Sequence, residues 1–403
     1  MRAAIGYKLT DFGVFPDAWD IIPLGNIYAF SNGVNADKAA YGEGVRFINV
    51  LEPISRSHIH PSHVPGRVKL SAATSSAYAV RSGDVVFNRT SETDSELGLA
   101  AVYLGDEHVV FGGFVIRGRP LDDTLDARFA GYALRAIAIR RQVIPMGQGA
   151  VRANIGQQSL RRVLLPVPPL AEQRAIAAAL GDVDSLLESL DRLIAKKRDL
   201  KQAAMQQLLT GKTRLPGFSG EWEVRRLGEV AHVEKGVQLH SSESDAGGRY
   251  PHFNGGVSPS GFTHKANMPA DTIAISEGGN SCGYVQFISE PFWCGGHCYT
   301  IVPIGVDKRF LYQALKGQQL SIMGLRVGSG LPNVQKAALV AFKIRLPRAP
   351  AEQAALATVL SDLDAELVTL VARRDKTHAL KQAMMQELLT GKTRLVSGEA
   401  AHA

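Results

Sequence analysis

Cysteine is scarce in this 403-residue chain, which has only Cys282, Cys294 and Cys298. An odd number of cysteines within one short region does not suit a secreted scaffold held by disulfides, and indicates a reducing compartment. No hydrophobic run approaches the length of a membrane span, and the amino terminus lacks a basic-then-apolar signal pattern. We therefore expect a cytoplasmic protein that makes no membrane contact.

Catalytic signatures are also missing. The sequence has no HExxH, no GxSxG, no glycine-rich loop leading into a helix and no Asn/Asp-Pro-Pro-aromatic tetrapeptide of an adenine methylase. The tripeptide GKT occurs twice, but a phosphate-binding loop needs a glycine five residues before the glycine of the Gly-Lys pair. Gln206 and Gln386 stand at that position. We expect no catalysis by this chain; a phosphate-loop NTPase, which would bind nucleotide in isolation, is one alternative.

Two short stretches contain residue types that bind metals. The stretch HIHPSHVPGR at 58–67 has three histidines but no acid or cysteine beside them, and a polar loop near phosphates is the favoured interpretation. The stretch CGGHC at 294–298 lacks a second matching cysteine pair, so buried thiols are the favoured interpretation there. We predict no metal site.

Acidic residues are outnumbered by basic ones. The formal net charge is +7 and the calculated isoelectric point is about 9.3. This balance is typical of proteins with a polyanionic partner, although it does not by itself specify nucleic acid.

A long segment is repeated at a separation of 180 residues. LLTGKTRL occupies Leu208–Leu215 and Leu388–Leu395, and Ala-Glu-Gln occurs at 171–173 and 351–353. Without a gap, 25 of the 45 positions from 171 to 215 are identical to their counterparts. This period is too long for a solenoid, so the pattern indicates duplication of a whole domain.

The repeated segments are predicted to be long helices. From Ala171 to Leu209 there is no proline and only one glycine, Gly181, and apolar residues recur three and four positions apart. Gly211 and Gly391 suit the left-handed residue that ends a helix, and the following Lys and Arg favour its negative end. About 39 residues give a helix of roughly 58 Å, which corresponds to at most about 17 base pairs.

Because the termini of a compact domain usually lie close together, we expect the two helices to run antiparallel as a coiled coil. The same apolar spacing resumes in the second copy at Leu380 and Met384. Packing within the chain is the favoured role of the apolar seam, and contact with another subunit is the alternative. The seam residues that we assign to the helical spacer or to subunit contact are Leu180, Leu187, Leu190, Leu360, Leu367 and Leu370.

The regions outside the helices are predicted to be mixed α/β. Short β-rich runs alternate with glycine-rich turns, for example at 79–88 and 272–276, and candidate helices cover 125–140 and 308–316. The predicted fold class is α/β (α+β), with two globular mixed α/β domains joined by the two-helix coiled coil and related by a pseudo-two-fold axis. The predicted boundaries are 1–168 and 216–348 for the domains, 169–215 and 349–395 for the helical spacers, and 396–403 for a disordered tail.

Several polar residues lie at predicted strand ends or in glycine-rich loops. Asparagine pairs with adenine and arginine with guanine through two hydrogen bonds each, so such residues are candidates for reading DNA; a solvated turn is the alternative. The candidates are Asn88, Arg89, Thr90, Gln148, Arg152 and Asn154 in the first region and Lys235, Asn280, Arg326, Ser329 and Asn333 in the second.

These features together resemble the specificity (S) subunit of Type I restriction-modification systems. The resemblance covers nearly the whole chain and is carried by PPLAEQRAIAAAL…LKQAAMQQLLTGKTRL and its second copy, and by DVVFNRTSETDSELGLAAVY, VVFGGFVIRGRP and ISEGGNSCGYVQF…FWCGGHCYTI. The second copy begins LPRAPAEQ where the family pattern has PPLAEQ, which is expected to shift a loop without changing its role.

The resemblance implies two target-recognition domains, each of which reads one half of a split double-stranded DNA sequence, and two helices that set the spacing. It also implies two methyltransferase subunits that use S-adenosylmethionine on adenine N6, and motor-nuclease subunits that use ATP and Mg. The chain itself would hold no cofactor and would catalyse nothing. A helical scaffold without sequence preference is the remaining alternative.

Overall fold

The computed structural model describes residues 5–149, 152–240, 243–328 and 330–395. Ser329 and the predicted tail at 396–403 lie outside these described residues. The chain divides into two units, Met1–Ser189 with Arg374–Ala403 (unit 1) and Leu190–Arg373 (unit 2). Each unit is a mixed α/β structure and contains part of two long helices.

Unit 1 is built from short strands and short helices that precede the first long helix. Its strands are β1 (Tyr7–Thr10), β2 (Gly13–Pro16), β3 (Asp20–Pro23), β4 (Tyr28–Asn32), β5 (Tyr41–Ile48), β6 (His58–Ile59), β7 (Arg67–Val68), β8 (Ala79–Val80), β9 (Val85–Asn88), β10 (Thr90–Ser91), β11 (Ala100–Tyr103), β12 (Val109–Phe111), β13 (Val115–Pro120), β14 (Ala153–Asn154) and β15 (Leu164–Val167). Its helices are α1 (Leu24–Ile27), α2 (Leu51–Ser55), α3 (Ala72–Ala77), α4 (Ala127–Ala133), α5 (Ile137–Val143), α6 (Gln157–Arg162) and the start of α7 (Leu170–Leu208).

Within the described residues, unit 2 has fewer strands and helices than unit 1. Its strands are β16 (Trp222–Arg226), β17 (Ala231–Lys235), β18 (Tyr250–Phe253), β19 (Gly261–Thr263), β20 (Thr272–Ser276), β21 (Val285–Ile288), β22 (Trp293–Cys294), β23 (Cys298–Pro303) and β24 (Lys343–Pro347). Its helices are α8 (Leu227–Val230), α9 (Lys308–Gly317), α10 (Gln319–Met323), α11 (Lys336–Ala341) and most of α12 (Pro350–Leu388).

The two units share one sheet topology. The strand order β4-β13-β9-β11 in unit 1 corresponds to β17-β23-β20-β21 in unit 2, and all of these pairs are antiparallel. A second sheet in each unit contains a parallel pair, β12 with β5 and β22 with β18. The domain duplication inferred from the helices therefore extends to the regions where the sequences differ.

Burial on both faces explains the central strands. Val85–Asn88 and Thr272–Ser276 are buried at every position, and β-branched residues such as Val85 and Ile273 favour extended backbone when packed on both sides. Around them lie the two main cores, one including Trp19, Phe87, Phe129, Leu180 and Leu388, the other Leu227, Ile273, Phe310, Leu346 and Leu356.

The two long helices agree with the prediction from the sequence. Leu170–Leu208 and Pro350–Leu388 each have 39 residues, and Gly211 and Gly391 follow them with φ of 70° and 67°. The predicted helix end is therefore confirmed, and GKT lies after a helix C-terminus. The basic residues act differently from the prediction, because Arg214 and Arg394 bind carboxylates rather than the last helical carbonyl groups.

Within unit 1, the first part of α7 and the last part of α12 lie side by side in opposite directions. Lys381 of α12 donates to Asp184 of α7, and Arg394, just past the end of α12, donates to Glu172 near the start of α7. Moving toward the C-terminus of α12 therefore means moving toward the N-terminus of α7, so the two helices are antiparallel. Unit 2 has the same arrangement, with Lys201 bound to Asp364. The continuous coiled coil and the pseudo-two-fold axis stay predictions.

Two details differ from the sequence-based expectations. Leu380 is 55% exposed, because Lys381, Met384 and Leu388 form the inner face of α12 there. The helix expected over 125–140 is broken into α4 and α5, since Arg135 and Ala136 donate their backbone N–H groups three residues back and form a tight turn.

Candidate nucleic-acid interface

The candidate residues of unit 1 meet where strand β9 ends. Asn88, the last residue of the strand, is fully buried, and its side-chain amide donates to the Glu96 carbonyl at 3.0 Å. Its own carbonyl accepts from Gly98 N–H at 2.8 Å. Asn88 therefore fixes the loop after the strand, while its side-chain oxygen has no hydrogen-bond partner among the described residues.

Arg89 is held against a Gly-Gly-Phe turn. Its backbone N–H donates to the Phe114 carbonyl at 2.9 Å, and one guanidinium nitrogen donates to the Gly113 carbonyl at 3.2 Å. Phe114 leaves 55% of its surface exposed. The turn thus brings a cation and an exposed aromatic ring to the same strand end.

The glycine-rich loop that contains Gln148 and Asn154 docks on this junction. The two residues exchange backbone hydrogen bonds at 2.8 and 3.0 Å, and Ile155 N–H donates to the Arg89 carbonyl at 3.0 Å. The Thr90 hydroxyl donates to the Asn154 side-chain oxygen at 2.6 Å. All six candidates of this region are therefore neighbours, with Arg152 paired to Glu92 at 2.7 Å in an exposed ion pair.

Unit 2 repeats the backbone hydrogen bonds of this junction. Glu277 N–H donates to the His297 carbonyl at 2.9 Å, as Arg89 does to Phe114, and Val334 N–H donates to the Glu277 carbonyl at 2.8 Å, as Ile155 does to Arg89. Asn333 exchanges two backbone hydrogen bonds with Val327, at 2.8 and 3.0 Å. Each unit thus carries one equivalent patch made of a strand end, a Gly-Gly turn and an asparagine loop.

Comparison with known proteins identifies the family. The model of the type I restriction modification DNA specificity domain matches residues 19–196 and again 219–377. The chain belongs to this family. Both matches include the strand-end junction and part of one long helix, so the duplication seen in the structure coincides with two copies of the specificity domain.

Individual relatives have the same description. A putative type I restriction enzyme MjaX specificity subunit of Methanocaldococcus jannaschii is 25% identical over 96% of this chain and 97% of its own length. Putative type I specificity subunits of Mycoplasma pneumoniae and Mycoplasma genitalium are 30% and 33% identical, but the chain spans only 46% and 45% of their lengths. The crystal structure of an S subunit from M. genitalium has the same fold, with a TM-score of 0.68 at 21% identity over 94% of this chain and 97% of that one.

Among the described residues, the candidates of unit 2 make fewer hydrogen bonds than those of unit 1. Lys235 donates to Glu277 at 2.7 Å, while Asn280, Arg326 and Asn333 are exposed. No side-chain hydrogen bond of these three is found within the ranges that the structure describes, and Ser329 lies outside those ranges. Their contact with DNA stays a prediction.

Three residues of the patches were not predicted from the sequence: Phe114, Glu277 and His297. The sequence signal for Phe114 and His297 is the Gly-Gly pair that precedes each of them, Gly112-Gly113 and Gly295-Gly296, whereas Glu277 has no such signal and follows strand β20. Each turn also packs against a glycine that is distant in sequence. A Cβ on Gly33 would lie 2.0 Å from the Gly112 carbonyl oxygen, and a Cβ on Gly236 would lie 2.3 Å from the Gly295 carbonyl oxygen.

Glu277 has the most unusual environment of the patch. One carboxylate oxygen accepts from Lys235 at 2.7 Å and from the Tyr299 hydroxyl at 2.8 Å. Burial and the hydrogen bond to Glu277 raise the pKa of Tyr299, so this hydroxyl stays a donor. The other oxygen, Oε2, is buried without a hydrogen-bond partner among the described residues, and its neighbour His297 Nδ1 lies 3.6 Å from it.

The histidines at 58–63 lie elsewhere in unit 1. They line a polar cleft of about 1090 Å³ together with Tyr132, Asp184 and Glu188, and no residue of the strand-end patch lines it. The His58 ring packs 4.6 Å from the Tyr132 ring, and burial lowers the pKa of His58. The structure thus places these histidines against the long helix rather than in the patch.

Metal-binding clusters and membrane-spanning helices are both absent from the described ranges. Those residues contain no group of three or more His, Cys, Asp or Glu side chains arranged to hold a metal, and the three cysteines are free and buried. The same ranges contain no helix long and apolar enough to cross a bilayer.

The leucines assigned to the helical spacer fall into two groups. Leu180, Leu187, Leu190 and Leu360 are buried, which supports packing within the chain, whereas Leu367 and Leu370 are half-buried. A different set on α7 is exposed at intervals of seven residues: Leu186, Leu193 and Leu200 are 38%, 38% and 48% exposed.

Proposed function

We propose that each unit of this specificity subunit reads one half of a bipartite double-stranded DNA sequence through its strand-end patch. The observation that carries the proposal is that the two patches have equivalent backbone hydrogen bonds, whereas their side chains differ. Equivalent scaffolds place their variable side chains alike, and the different chemistry of Arg89 and Glu277 suits two different half-sequences.

The proposed partners follow from the helices and from the family. Exposed leucines seven residues apart form a stripe along one face of α7, as in a helix that packs against another helix. We assign this stripe to the methyltransferase subunits. A similar solved chain, with a TM-score of 0.56 and 18% identity, comes from a type I R-M system studied for its complex assembly.

In this proposal the chain is a non-catalytic recognition subunit that acts in the cytoplasm. S-adenosylmethionine, ATP and Mg belong to the methyltransferase and motor-nuclease subunits, and the long helices fix the spacing between the two half-sequences. Sequence preference separates this function from a scaffold that binds any DNA, and nucleotide binding by the isolated chain would favour the phosphate-loop alternative.

The test is methylation mapping in cells that express this chain with its methyltransferase subunit. We expect one bipartite motif. Replacing residues 1–168 by the corresponding region of a relative should change one half of the motif and leave the other half intact, and replacing 216–348 should do the reverse. Methylation without a bipartite motif, or a simultaneous change of both halves, would contradict the proposal.

A further inference from the structure

We propose that Arg89 and Glu277 are specificity-determining residues of opposite sign, with Arg89 reading the acceptor edge of a guanine in one half-sequence and Glu277 the amino group of a cytosine in the other. This inference rests on the proposed function and adds to it the base chemistry of one position in each half.

The backbone establishes that the two residues are equivalent. Each follows the last residue of the corresponding strand, β9 or β20, and each donates its N–H to the third residue of the Gly-Gly turn at 2.9 Å. The carbonyl of each accepts from the residue after the loop asparagine. The side chains of Arg89 and Glu277 therefore leave the same scaffold at the same point.

Arg89 retains donors for a ligand. A guanidinium group has five N–H donors in a planar fork, and the Gly113 carbonyl, at 3.2 Å, accepts from a single nitrogen of the half-buried Arg89. No carboxylate pairs with Arg89 in the part of the chain that the structure describes. Such a fork matches O6 and N7 of guanine, which are both acceptors.

Glu277 retains an acceptor for a ligand. Lys235 and Tyr299 saturate one oxygen and fix the carboxylate, but buried Oε2 has no hydrogen-bond donor among the described residues. Buried polar atoms are usually paired, so an unpaired carboxylate oxygen is a place where a ligand donor is expected. Nδ1 of His297 lies 3.6 Å from Oε2, beyond hydrogen-bond distance, and the His297 side chain is 63% exposed, so a base that reaches this oxygen would displace the His297 ring.

The sign of the charge selects the base. A carboxylate only accepts, so it suits the N4 amino group of cytosine and is repelled by guanine O6 and N7. It also opposes phosphate contact, which makes a carboxylate at this position unsuitable for non-specific binding in a chain of net charge +7. Lys235 offsets part of that repulsion through its ion pair with Glu277.

The first test is methylation mapping of the assembled complex with Glu277→Gln, which keeps the shape but adds a donor. We expect discrimination to fall about tenfold or more at one C·G position in the half read by unit 2, with adenine newly accepted there. Arg89→Gln should relax one guanine in the other half. Glu234→Gln and Arg81→Gln, which make the same charge changes at exposed positions, serve as controls and should leave the motif unchanged.

The second test uses modified DNA and the unaltered complex, so it does not depend on folding of a variant. A pyrimidinone without the 4-amino group at the cytosine should lower methylation about tenfold, and 7-deazaguanine at the guanine read by Arg89 should do the same in the other half. In the Glu277→Gln complex the pyrimidinone should lower methylation by a smaller factor, because the carboxylate that accepts from the 4-amino group is no longer present.

Each outcome bears on the inference. A wild-type motif without a cytosine in the half assigned to unit 2 overturns it, as does full methylation of the pyrimidinone-containing DNA. A clear bipartite motif that both variants leave unchanged would refute this inference while leaving the proposed function intact. Absence of any bipartite motif would refute the proposed function itself.

Discussion

Arg394 binds Glu172 across 222 residues of sequence through two hydrogen bonds, of which the one between Nη2 and Oε2 measures 2.7 Å. The Glu172 carboxylate is fully buried and also accepts from the indole N–H of Trp19 at 3.0 Å. In unit 2, the Glu352 carboxylate accepts in the same way from Arg214 and, at 3.4 Å, from the indole N–H of Trp222. The arginine of each GKTR therefore closes onto the glutamate of an Ala-Glu-Gln, which explains why both ends of the segment are repeated.

Arg394→Ala is expected to destabilise unit 1 by about 3 kcal/mol, because it leaves a buried carboxylate without its cation. The measurement is urea unfolding in a Trp222→Phe, Trp293→Phe background, where Trp19 reports on unit 1. The matched control is Arg174→Ala, which removes an exposed ion pair with Asp126 (4.0 Å) in the same unit and should cost less than about 1 kcal/mol. Similar losses in both variants would show that burial of Glu172 does not decide the effect.

The hydroxyl of Tyr132 gives a pH-dependent prediction. It donates to Asp184 at 2.7 Å, and burial and this hydrogen bond raise the pKa of Tyr132. Below pH 10 the Tyr132 hydroxyl is protonated in both the folded and the unfolded chain. Above pH 10 it ionises in the unfolded chain but not in the folded one, so the free energy of unfolding falls as the pH rises.

The stability advantage of the wild type over Tyr132→Phe should therefore shrink by about 1 kcal/mol between pH 9 and pH 11. Urea midpoints of the two proteins measure it at each pH. Both proteins contain the other tyrosines, so their titration cancels in the difference. A difference that stays constant over this range would contradict the assigned cause.

If the exposed leucine stripe on α7 binds the methyltransferase subunit, replacing its leucines by charged residues should weaken that binding. Leu193→Glu combined with Leu200→Glu should greatly reduce copurification of the methyltransferase subunit, because charges replace apolar surface on one helix face. Leu320→Glu on α10 is the control, since Leu320 is 84% exposed but lies off the long helices. If the control reduced copurification equally, exposure rather than position on α7 would be responsible.

The sequence predicted the features of the fold and of the patches that depend on neighbouring residues, and not those that depend on contacts between distant segments. The long helices were predicted to within one residue, because proline-free segments and spacing of three and four are local properties. Strand order was not predictable, since it depends on pairing between distant segments. Arg89 was chosen as a candidate DNA-reading residue because arginine can pair with guanine. Glu277 was not, because its equivalence to Arg89 depends on backbone bonds to His297 and Val334.

The strand-end patches depend on two equivalent glycines, Gly33 and Gly236. A Cβ on Gly33 would lie 2.0 Å from the Gly112 carbonyl oxygen, and one on Gly236 would lie 2.3 Å from that of Gly295. Because the obstacle is backbone, each alanine variant must displace a Gly-Gly turn, at an expected cost of about 1–3 kcal/mol. Gly181→Ala is the control, since its Cβ would meet only the Tyr132 hydroxyl at 3.9 Å.

The consequence for recognition should be confined to one half-sequence in each variant. Displacing the turn that holds Arg89 in Gly33→Ala should relax only the half read by unit 1, and displacing the turn that holds Glu277 in Gly236→Ala should relax only the half read by unit 2. Methylation mapping of the two variants and of Gly181→Ala measures this directly. If either variant altered both halves, or if Gly181→Ala altered the motif as they do, the turns would not be what holds the base-reading side chains in place.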